Sequence, residues 1–80
     1  MFQQVWSRPV SIRLPMGVQI VHTPREATDF LVDVWPFGAG DDYEKALDAC
    51  QDCYDGRTDA EEVRAALISA CRGANALVAL

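Results

Sequence analysis

Val18-Gln19-Ile20-Val21-His22-Thr23-Pro24-Arg25-Glu26-Ala27 changes its periodicity midway, and that change decides the fold class. Val18 and Ile20 share one face of an extended segment, the period of two that marks a strand. Thr23-Pro24-Arg25-Glu26 then reads as a helix start. Thr23 can cap free N–H groups, Pro24 suits the first helical position, and Glu26 completes a capping box. A strand that passes directly into a capped helix predicts an α+β domain.

Upstream, Pro9-Val10-Ser11-Ile12-Arg13-Leu14 alternates, with Val10, Ile12 and Leu14 on one face and Ser11 and Arg13 on the other. Pro15-Met16-Gly17 supplies turn residues between the two extended runs, so the pair is expected to be an antiparallel hairpin over about residues 9–22. Downstream, Ala27, Phe30, Leu31, Val34 and Trp35 form one apolar stripe on a helix over about residues 24–35, which Pro36 ends. Trp35 is expected to anchor the core there.

Phe37-Gly38-Ala39-Gly40 is a short connection. Asp41 or Asp42 is expected to cap a second helix over about residues 42–55, striped by Tyr43, Ala46, Leu47, Cys50 and Tyr54 and closed by Gly56. Thr58-Asp59-Ala60-Glu61 has the form of another capping box, opening a third helix over about residues 59–73. Its buried face should be Ala60, Val63, Leu67, Ala70, Cys71 and Ala74, small enough to lie close against the sheet or the first helix. The apolar tail Asn75–Leu80 is long enough for a short third strand, which would support a hairpin that is marginal in isolation. The expected whole is one domain over residues 1–80, a hairpin packed against three helices.

Composition narrows the function. A chain of 80 residues buries only about 60–65% of its unfolded surface, so its core supplies about 3–5 kcal/mol and self-association is a realistic source of further stability. The net charge of −5 argues against nucleic acid as a partner, because that binding depends on cations neutralising phosphates. Residues 1–25 carry a net +3 (Arg8, Arg13, Arg25) and residues 26–80 a net −8, which reads as internal complementarity or a self-complementary interface. No apolar run reaches the roughly 18–20 residues of a membrane span, and the first residues lack a signal-peptide layout. Three cysteines, an odd number, fit reduced thiols and a cytoplasmic location.

The order Trp6, Pro9-Val10, Pro24-Arg25-Glu26-Ala27, Phe30-Leu31, Trp35-Pro36, Gly40, Tyr43, Ala46, Cys50 and Gly56 resembles the family of short bacterial proteins known as domain of unknown function 982. The resemblance runs over roughly residues 5–75, and its most distinctive element is Trp35-Pro36 followed by Gly40 and Tyr43. It implies a single intracellular domain with no established activity, and it carries no catalytic role onto any residue.

Candidate chemistry is sparse. Cys50-Gln51-Asp52-Cys53 has the spacing of a redox pair but falls within a helix among acids that oppose a thiolate, which favours packing cysteines. Adding Cys71 and His22 gives four zinc-type ligands from three separate elements, a poor match to paired ligand motifs. Gly38-Ala39-Gly40 lacks the Lys and hydroxyl of a phosphate loop, and the acids Asp41, Asp42 and Glu44 match no calcium loop. With one His and no paired-carboxylate arrangement, the reading leans against an enzyme and implies no cofactor. It favours a small acidic interaction or regulatory module that pairs with another protein or with itself. Phe2, Trp6, Arg8, Arg13 and Phe37 are the candidate interface residues, with core coverage as the alternative role for Phe2 and Trp6. A thiol-redox or structural metal protein using Cys50, Cys53, Cys71 and His22 is the second reading.

Overall fold

The computed structural model describes residues 5–79, with the side chains of 78 and 79 left out. Two extended runs form β1 (Val10–Leu14) and β2 (Gly17–Val21), and the tail adds β3 (Leu77–Ala79). All pair antiparallel in the order β2-β1-β3, so the expected hairpin holds and the tail is indeed a strand. Three helical elements complete the chain: α1 (Pro24–Asp29) with a π-helical turn over Phe30–Val34, α2 (Asp41–Tyr54) and α3 (Ala60–Gly73).

The hairpin turn is one residue shorter than the sequence suggested, and this reverses one strand. Leu14 pairs with Gly17, so only Pro15 and Met16 form the loop. Gly17 joins the strand with φ +144°, backbone that side-chain-bearing residues rarely adopt. A shift of one residue moves every side chain of a strand to the opposite face. Ile12 therefore faces Gln19 and Val10 faces Val21 on the inner side. Val10, Ile12 and Val21 are fully buried, whereas Val18 (59% exposed) and Ile20 (49%) stand on the outer face.

Helix α1 starts as expected: Thr23 Oγ1 accepts from Glu26 N–H at 3.0 Å. Ala27, Phe30 and Leu31 are buried. The stripe then slips, because Trp35 N–H donates to Phe30 C=O (2.9 Å) across five residues instead of four. The widened turn leaves Val34 40% exposed and Trp35 half-buried at the margin of the core. Trp35 leaves helical geometry (φ −46°, ψ 111°), as a residue before proline should.

Helix α2 is preceded by Gly40, which makes no side-chain cap; Asp41, Asp42 and Glu44 instead occupy its first turn, where the helix dipole favours them. Ala46 and Cys50 are buried, but Tyr54 is 88% exposed, beyond the reach of the stripe. The helix closes as expected at Gly56 (φ +82°), with Gly56 N–H on Cys53 C=O and Arg57 N–H on Asp52 C=O. Helix α3 is capped by Asp59, which accepts from Glu62 N–H at 3.0 Å, one residue later than the Thr58–Glu61 box. Its buried face gains Ile68, and it packs most extensively on α2. Asn75 (φ 58°) ends it, Ala76 N–H returns to Cys71 C=O (2.8 Å), and the chain turns into β3.

The result is two layers, with the helices on the inner face of the sheet. The fully buried tryptophan is Trp6, not Trp35: it is 4% exposed and donates Nε1–H to Ala60 C=O at 2.9 Å.

Candidate functional site

The bonding of β1 determines which backbone groups of β2 are free. Arg13 N–H donates to Ala76 C=O at 2.6 Å, away from β2. In an antiparallel ladder, opposite residues direct their backbone groups either toward each other or both outward. Arg13 is opposite Val18 and Ser11 is opposite Ile20, so Val18 and Ile20 direct their N–H and C=O groups toward the outer edge of β2. Among the described residues no strand lies on that edge. The next outward amide, His22 N–H, is taken by Glu26 Oε1 at 2.8 Å. The His22 C=O is taken by Trp6 N–H at 2.9 Å. Among the described residues Val18 and Ile20 are then left without a ladder partner on that edge, and both carry exposed β-branched side chains.

Natural edges are usually protected by Lys, Pro, a bulge or a covering element. Gly17-Val18-Gln19-Ile20-Val21 has no charge and no Pro, and its pairing with β1 is regular. Beside this edge runs an open groove of about 460 Å³ between the strand and α1, whose lining includes Gln19, Ile20, His22, Glu26, Asp29, Asp33 and Val34. Three carboxylates therefore border the edge. Glu26 bonds His22 through the backbone amide and through Nδ1 at 3.2 Å, and the amide bond in particular holds its carboxyl below the usual range. Asp29 and Asp33 take part in no ion pair among the described residues.

The sequence-derived candidates lie in different places. Phe2 lies outside the described residues. Trp6 is enclosed by the core. Arg8 is exposed and accepts at its C=O from Arg64 Nε (2.8 Å), and Arg13 is exposed on the outer sheet face beside Val18. Phe37 is half-buried edge-on to Trp35, with centroids 5.0 Å apart. None of Arg8, Arg13 and Arg25 forms an ion pair among the described residues, so the charge asymmetry is not resolved by direct pairing.

The thiols do not converge with the histidine. Cys50 and Cys53 border one groove with Arg25, Thr28 and Tyr54, whereas Cys71 is fully buried in the core and His22 is exposed. Among the described residues no three His, Cys, Asp or Glu side chains come together as a metal site. Burial raises the Cys50 thiol and pushes Cys71 up to about 12, so both stay protonated.

These features define a small two-layer α+β domain in which, among the described residues, the outer edge of β2 carries no further strand. The chain belongs to the family described as Protein of unknown function (DUF982), whose model matches residues 8–78. It is similar in structure to Agrobacterium tumefaciens protein Atu1219, solved by NMR, with TM-score 0.77 and 32% identity over 95% of this chain and 77% of that one. No curated protein matches the chain. Among the described residues no helix is long and apolar enough to cross a membrane.

Proposed function

We propose that this domain is a protein-interaction module that takes an extended segment of a partner onto β2 as a fourth strand. The observation that carries the reading is the ladder at Val18 and Ile20, which is unpaired on the outer edge among the described residues and flanked by an apolar face. Strand addition obtains affinity from backbone hydrogen bonds and selectivity from alternate side chains, so it needs no catalytic group. Three free thiols support a reducing cytoplasmic setting.

Ile20→Pro tests this reading. The amide it removes faces outward, a position where edge strands tolerate proline. The variant should keep the parent's circular dichroism yet retain no members of a displayed library of extended peptides from which the parent selects. Equal selection by both proteins would refute strand addition.

A further inference from the structure

The open edge also has a chemical preference, and this inference rests on the strand-addition reading. A residue placed opposite Gln19 points to the inner side of the sheet, as Gln19 does, into the groove bordered by Glu26, Asp29 and Asp33. Residues opposite Val18 and Ile20 point to the outer face, beside exposed aliphatic side chains. We propose that the occupant is a partner strand of the pattern apolar–Lys/Arg–apolar, its cationic side chain lying in the groove between β2 and α1. The aliphatic stem of such a residue can lie along Val34 while its charge reaches Asp29 and Asp33, which have no cation of their own among the described residues.

Charge also distinguishes this occupant from a second copy. Pairing two β2 edges about a two-fold axis would place Gln19 opposite Gln19 and bring the carboxylates bordering both grooves to the same face of one sheet, with no cation contributed by either strand. A basic partner strand relieves that charge instead of doubling it.

The test uses the full chain and three synthetic peptides with a central Val–X–Val, where X is Lys, Gln or Glu, titrated at low salt and followed by the amide signals of β2. The lysine peptide should bind about two- to fivefold tighter than the glutamate peptide, the scale of exposed ion pairs, and the difference should shrink as salt is added. Asp29→Lys combined with Asp33→Lys should reverse the order. An order that survives this double substitution, with binding still lost in Ile20→Pro, would overturn the charge preference and leave strand addition standing. Absence of binding by all three peptides would remove strand addition itself. Sedimentation showing a parent dimer that Ile20→Pro converts to monomer would assign the edge to a second copy and overturn the proposal.

Discussion

Tyr43 donates its phenolic hydroxyl to the Leu31 carbonyl at 2.9 Å, the acceptor that an unbroken α-helix would have assigned to Trp35 N–H. The π-helical turn takes Trp35 N–H to Phe30 instead, which leaves Leu31 C=O free beside a buried side chain. Tyr43, on α2, supplies the missing donor and stacks on Trp35 with centroids 5.4 Å apart. The distinctive spacing Trp35-Pro36, Gly40 and Tyr43 thus has a physical basis: it joins the end of the first helical segment to the start of the next.

Tyr43→Phe should therefore cost about 1–3 kcal/mol, the scale of an acceptor left without a partner in a partly desolvated site. The aromatic stack would remain. Urea denaturation followed by tryptophan fluorescence measures this, and a midpoint equal to the parent's would show that water replaces the hydroxyl at no cost.

The two tryptophans should differ in importance. Trp6→Ala removes a fully enclosed side chain and its bond to Ala60, and should cost about 3–5 kcal/mol, enough to unfold most molecules of so small a domain. Trp35 is half-buried, so Trp35→Ala should cost less, about 2–3 kcal/mol from the lost Phe30, Phe37 and Tyr43 contacts. The ranking, measured by the same denaturation, is the prediction.

Much of this fold was legible in the sequence because its signals are local. Thr23-Pro24 as a helix start, Gly56 as a stop and the Val10–Ile12 face depend only on neighbouring residues. The errors have non-local or parity causes. Reading Gly17 as part of the turn puts Val18 and Ile20 inside, whereas placing it in the strand puts them outside, and that single residue concealed the candidate site. The π-helical turn concealed the slip of Val34, since no periodicity rule anticipates an inserted residue. The open edge was beyond sequence reading because it requires knowing that β3 pairs with β1 and not with β2.

Thiol reactivity should follow burial. Cys53 is half-exposed, whereas Cys50 and Cys71 are buried with raised thiol pKa values. A disulfide reagent at mildly alkaline pH should modify Cys53 first in the native protein and the other two only on unfolding. Simultaneous modification of Cys50 and Cys53 would instead support a working dithiol.

Glu26 gives the fold a small acid sensitivity. Its carboxyl is lowered from the usual 4.5 chiefly by the His22 amide bond, so the stability it contributes is present above that value and is lost as pH falls through the folded value. The stability difference between the parent and Glu26→Gln should therefore be greatest near neutrality and vanish in acid. A difference independent of pH would mean that the His22 amide bond owes nothing to the carboxylate charge.

Amide hydrogen exchange along β2 tests the open edge most directly. With β1 holding one set of amides and the outer edge free, Gln19 and Val21 should exchange slowly while Val18 and Ile20 exchange close to the unprotected rate. Adding the lysine-centred peptide should slow Val18 and Ile20 and leave Gln19 and Val21 unchanged. Protection of Val18 and Ile20 equal to that of Gln19 in the free monomeric protein would mean that the edge is already covered, and would contradict the account.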